Sequence, residues 1–117
     1  MRKLEIGQEK YTQVYACDEK GQGNANYHYS ISSVKEPSKI LGEIKFQNGP
    51  ILEIGINGVM NEDLLAIVLD RLQCFNSSNY CCRENSCAIT KIEEALMWLN
   101  ERTKKRERRN VEGTHIV

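Results

Sequence analysis

The chain is predicted to adopt an α+β fold, a small antiparallel β-sheet followed by a C-terminal antiparallel α-helical hairpin. Three observations predict it: apolar residues recur with period two through the first half, they recur with helical spacing through the second, and the period changes near "NGVMNED". With 117 residues, 40% hydrophobic and 27% charged, the chain supports one modest core. We therefore expect a single domain, 1–117, with a β-rich part at 1–59 and a helical hairpin and tail at 60–117.

The first strands are "YTQVYAC" (residues 11–17) and "YHYSISS" (residues 27–33), rich in aromatic and β-branched side chains. Between them "DEKGQGNAN" is polar and glycine-bearing, a hairpin connection longer than chain reversal requires. After Pro37, "KILGEIKFQ" sets Ile40, Gly42, Ile44 and Phe46 on one face against Leu41, Glu43 and Lys45 on the other. "NGP" supplies a turn and "ILEIGINGV" keeps the period, so residues 40–47 and 51–56 are expected to form a second hairpin. The sheet should hold three to five strands.

In "NEDLLAIVLDRLQCF", Asn61 stands where an N-cap belongs, and Glu62 and Asp63 place negative charge in the first turn. Leu64, Leu65, Val68, Leu69 and Leu72 form the apolar stripe. A polar loop, "NSSNYCCREN", precedes a second helix in which Ala88, Ile89, Ile92, Ala95, Leu96 and Leu99 repeat at helical spacing. Two helices so joined pair antiparallel. The second is apolar only as far as Leu99, so its last turns project past the core or pack on another subunit. A fold this small gains from self-association, and we expect a homo-oligomer.

Charge and cysteine content exclude several classes. Sixteen basic and sixteen acidic residues cancel, so bulk attraction to duplex nucleic acid or to an anionic membrane is not expected. Five cysteines and an N-terminus without an apolar core argue against secretion, and no apolar run is long enough to span a membrane. Cys74, Cys81, Cys82 and Cys87 cluster between the helices, but the histidines lie elsewhere, at His28 and His115, and the spacing is poor for zinc. Reduced, semi-buried thiols are the expectation; no metal and no cofactor is assigned.

Catalytic signatures are missing too: neither a nucleophile elbow, a P-loop, a zinc-protease helix nor a dinucleotide fingerprint occurs in the chain. What stands out is "RTKKRERR" (residues 102–109), six basic residues and one acid. Such runs at helix C-termini commonly just complement the dipole. Here Arg102, Arg106 and Arg109 also share one helical face, where three guanidiniums can converge on a diphosphate, while Lys105 and Arg108 are expected to point elsewhere. Trp98, one turn before Arg102, is placed to line a ligand groove or fill an oligomer interface. Phe75, Tyr80 and Asn85 lie where a base could find a ring face and an amide.

"NGVMNEDLLAIVLDRLQCF", "CRENSCAITKIEEALMWLNERTKKR" and "RNVEGTH" together resemble the phage hairpin-domain family that includes Thoeris anti-defence sponge proteins and a related anti-CBASS sponge. The resemblance runs over about residues 57–115, and the β-rich first half looks like the Thoeris branch. It implies a non-enzymatic protein, acting in the cytoplasm of the infected bacterial host, that sequesters a TIR-generated cyclic ADP-ribose isomer and keeps the effector off. It implies a dimer or hexamer, with cyclic oligonucleotides at a separate site in some members. Residue by residue, it implies that Phe75 stacks on the adenine, Asn85 meets the base or ribose edge, and Arg102 and Arg106 grip the pyrophosphate. Arg109, Thr114 and His115 are further ligand candidates, and the loop at 21–26 would close over the ligand from a neighbouring subunit. Two other activities stand against it: a sponge for cyclic oligonucleotides of CBASS-type signalling, and an enzyme degrading the signal.

Overall fold

The computed structural model describes residues 1–7 and 9–117. They form two compact units, Met1–Gly49 with Ile54–Val59, and Pro50–Glu53 with Met60–Val117.

The first unit is a four-stranded antiparallel sheet in sequence order: β1 (Arg2–Lys3), β2 (Thr12–Ala16), β3 (His28–Ser33) and β4 (Ile40–Lys45). The β2–β3 hairpin pairs Val14 with Ile31 and Ala16 with Tyr29. Pairing of β3 with β4 sets Tyr29 beside Ile44, with a register shift at Ile31/Ser32. Tyr29 and Phe46 meet edge to face, their ring centroids 5.8 Å apart. Alternation along β4 places Gly42, Ile44 and Phe46 on the half-buried side, as expected, although Ile40 is exposed. β1 is two residues long, too short to show a period.

The long β2–β3 connection is folded on itself. Residues Gln22–Asn24 make one 3-10 turn, Gly21 and Ala25 close it by a backbone bond of 2.8 Å, and the Tyr27 hydroxyl donates to the Gln22 carbonyl. Asp18 latches its base. The carboxylate accepts from the backbone N–H groups of Tyr27 and His28 and from the Asn26 amide.

One strand expectation is overturned. Residues 51–56 do not return as a partner of β4; Ile51–Ile54 is a single helical turn, α1. The cause is backbone: Gly49 and Gly55 adopt φ of 97° and 81°, which break the extended path on both sides, and Pro50 stands ready to begin a helical turn. Gln47 ties this excursion together by donating to the Gly49 and Gly55 carbonyls, and Val59 then bridges Phe46 in parallel.

The second unit is the hairpin of α2 (Asn61–Asn76) and α3 (Arg83–Arg108). The N-cap of α2 is Met60 rather than Asn61, and Asp63 reaches back to accept from the Met60 N–H at 2.8 Å. Leu64, Leu65, Leu69 and Leu72 of α2 and Ile89, Ile92, Leu96 and Leu99 of α3 are half-buried, yet no residue of either helix is fully buried. Val68, expected in the stripe, is 46% exposed. α3 begins earlier than predicted, capped by the Cys82 sulfur accepting from the Asn85 N–H, so the connecting loop is only 77–82. Asn85 therefore belongs to the first turn of α3. Cys74, Cys81, Cys82 and Cys87 are all exposed rather than semi-buried, because they lie at the hairpin tip outside the interhelical seam.

Candidate functional site

The tip of the hairpin carries the aromatic end. Phe75, in the last turn of α2, meets Tyr80 edge to face, with centroids 6.1 Å apart and planes at 85°. One turn earlier, Arg71 holds its guanidinium 5.4 Å from the Phe75 centroid. Ser78 donates to the Phe75 carbonyl and accepts from the Tyr80 N–H, while the Asn85 amide donates to the Tyr80 carbonyl at 3.3 Å. Asn76 staples the loop, accepting from the Cys82 N–H and donating to the Ser86 hydroxyl. Beside this cluster a shallow groove of about 370 Å³ is lined by Asp70, Arg71, Cys74, Phe75, Ser78 and Tyr80. Arg71 escaped the sequence reading, although its i, i+4 spacing from Phe75 was the available signal.

The other end of α3 carries the cations. Trp98, Glu101, Arg102, Lys105, Arg106, Arg109 and Val117 line a groove of about 390 Å³. Helical spacing puts Trp98, Arg102, Arg106 and Arg109 on one face, as expected, but Lys105 lines the groove as well and does not point away. Arg108 pairs with Glu101 at 3.6 Å and Arg106 with Glu112 at 3.1 Å. Among the described residues no ion pair or side-chain hydrogen bond occupies Arg102, Lys105 or Arg109. Three uncompensated cations beside a 74% exposed indole make a surface suited to a phosphorylated aromatic ligand.

Thr114 and His115 belong to the folded tail that follows α3. The Thr114 hydroxyl donates to the Val111 carbonyl, and His115 Nδ1 lies 2.9 Å from Glu53 Oε1. Neither lines the cationic groove.

Five of the seven sequence-predicted site residues thus form two groups, Phe75 with Asn85 and Arg102 with Arg106 and Arg109, and one chain does not bring the groups together; Thr114 and His115 line neither groove. Asn85 and Arg102 are separated by seventeen residues of a single helix, or roughly 25 Å of rise. That is several times the reach from a nucleotide base to its own phosphates.

Comparison with known proteins places this geometry in a family. The family model described as "Acb2/Tad1, hairpin domain" matches residues 38–104, more than half of the chain, and so takes in β4, α1, Phe75, Asn85 and Arg102. Over 83 residues, 71% of its length, the chain is 60% identical to "Thoeris anti-defense 1" of Bacillus phage SBSphiJ7. The matched stretch spans 58% of that relative, less than two thirds of its length. The chain belongs to the Acb2/Tad1 hairpin-domain family.

Proposed function

We propose that the protein is a phage anti-defence sink that binds a TIR-generated cyclic ADP-ribose isomer, glycocyclic ADP-ribose, and withholds it from the Thoeris effector without cleaving it. The observation that carries the reading is the groove of Arg102, Lys105 and Arg109, three cations unpaired among the described residues and matched to the two charges of a pyrophosphate. Family membership and the name of the Bacillus phage relative support the anti-defence role. The second half of the ligand, an aromatic base, suits Phe75 and the Asn85 amide.

Since roughly 25 Å of helix separates these groups, each site is composed from two copies, the tip of one hairpin meeting the cationic end of another. The protein then acts as a homo-oligomer, a dimer or a hexamer. Apolar side chains left outward on both helices, Ile67 and Val68 on α2, Met97 and Trp98 on α3, support such an association. No helix of the described residues is long and apolar enough to cross a membrane. The name of the phage relative supports the cytoplasm of the infected host as the site of action. A useful sink needs nanomolar affinity, about 12 kcal/mol, and charge-assisted contacts in a preformed groove can supply it.

The test is retention followed by release. Protein mixed with glycocyclic ADP-ribose is filtered, washed and heated, and the liberated material is identified by chromatography and mass. Intact ligand in the heated fraction supports the sink; a linear or hydrolysed product replaces it with an enzyme; free ligand in the filtrate rejects binding.

A further inference from the structure

Arg106 differs from its neighbours in the groove. Its side chain is only 12% exposed, and the guanidinium is already occupied. Nε donates to Glu112 Oε2 at 3.1 Å, Nη1 to the Ile116 carbonyl at 2.8 Å, and Nη2 to the carbonyls of Val111 and Thr114 at 2.9 and 3.2 Å. These bonds use four of the five N–H donors a guanidinium has.

The acceptors all come from residues 111–116, which fold around that one side chain. Val111 is one of two buried apolar residues among those described, and its N–H donates to the Arg106 carbonyl. Gly113 turns the chain at φ 78°, and its carbonyl accepts from the Leu52 N–H at 2.9 Å. Beyond this turn the chain reaches Val117, which lines the groove. Removing the guanidinium would strand several carbonyls together with the Glu112 carboxylate, a loss that no phosphate contact would explain.

We propose that Arg106 is a positioning residue of the cationic groove: it folds residues 111–116 around its guanidinium, so that Val117 beyond them reaches the groove, and leaves the ligand's phosphates to Arg102, Lys105 and Arg109. The clamp itself stands on the geometry above; only its effect on affinity rests on the sink reading.

Glu112→Ala distinguishes the two roles by the sign of its effect and Arg106→Lys by its size. If Arg106 bound phosphate directly, Glu112→Ala would remove a competing anion and tighten binding, and Arg106→Lys would keep the charge and most of the affinity. As a positioning residue it gives the reverse: calorimetry with glycocyclic ADP-ribose should show about a tenfold loss in both variants, the scale of a charge-assisted bond. Hydrogen exchange of the ligand-free proteins should show amides of 111–116 opening about tenfold faster in each variant, with α2 and α3 unchanged. Unaltered exchange in that segment, or tighter binding by Glu112→Ala, overturns the proposal. Should the parent protein not bind the ligand at all, the sink reading fails, and the exchange experiment decides the clamp alone.

Discussion

The rings of Phe75 and Tyr80 meet at 85°, and Tyr80 is in turn held through its backbone by Ser78 and Asn85. The aromatic end of the hairpin is therefore a connected unit in which Phe75, 41% exposed, keeps a fixed ring plane. Phe75→Ala should weaken ligand binding by about 1–3 kcal/mol, the usual worth of a base stacked on a side-chain ring. Because no residue of α2 is fully buried, its melting temperature should change little. A large drop in melting temperature with unchanged affinity would make Phe75 a packing residue instead.

Arg102→Ala removes a guanidinium that no acid partners among the described residues. Binding should weaken by about 1.5–3 kcal/mol, as for loss of a bond to a charged group, with fold and oligomer intact by circular dichroism and light scattering. Arg109→Ala should act in the same direction and less strongly, since Arg109 is the C-cap of α3, past the last helical residue.

A site shared between copies predicts complementation. Phe75→Ala and Arg102→Ala chains, each poor binders alone, should regain about a quarter of the wild-type sites when unfolded together, mixed and refolded, because mixed dimers each rebuild one of two symmetric pockets. Ligand capacity by equilibrium dialysis reads this directly. No recovery, with mixed oligomers demonstrated by mass spectrometry, would place both groups of residues in separate sites.

Bonds from the backbone N–H of Tyr27, then from Asn26 and the N–H of His28, outweigh burial and hold the Asp18 carboxyl below its ordinary value of 3.8. A lowered folded-state value stabilises the loop base above the ordinary value, and the contribution is lost as pH falls through the lowered one. Amide proton shifts of Tyr27 and His28 should titrate together below pH 3.8, and Asp18→Asn should abolish that titration.

Gly58 lies under the Phe46–Val59 bridge. A Cβ there would stand 2.4 Å from the Phe46 carbonyl carbon and 2.7 Å from the Gln47 nitrogen, backbone atoms with no rotamer to move. Gly58→Ala should destabilise the sheet unit by about 3 kcal/mol in chemical denaturation, the scale of an overpacked site.

Long periodic stretches were legible in the sequence because burial of one face imposes them: β2, β3, β4, α2 and α3 all follow from alternation or helical spacing. Residues 51–56 misled for the same reason. Their apolar alternation fits a strand, but two left-handed glycines flanking Pro50 to Ile54 decide the path, and a sign of φ leaves no trace in hydropathy. The start of α3 was hidden in a similar way, since a cysteine sulfur caps it where serine or aspartate is the usual signal. At the cationic groove the spacing of Arg102, Arg106 and Arg109 located the face. It could not reveal that Arg106 is taken by the tail, because that contact depends on a chain reversal after the helix.

The β2–β3 loop bears on timing as well as shape. Asp18, the loop's own backbone bonds and the Tyr27 hydroxyl hold residues 21–26 folded in the absence of any guest. If this loop is the lid that the resemblance implies, a lid made in advance would remove a slow step from capture, and uptake by the proposed sink would run at the pace of diffusional encounter, quickened at low salt by the attraction of the groove's cations for a phosphate. For a protein that competes with an effector for each newly made signal molecule, arrival rate would then matter as much as final affinity.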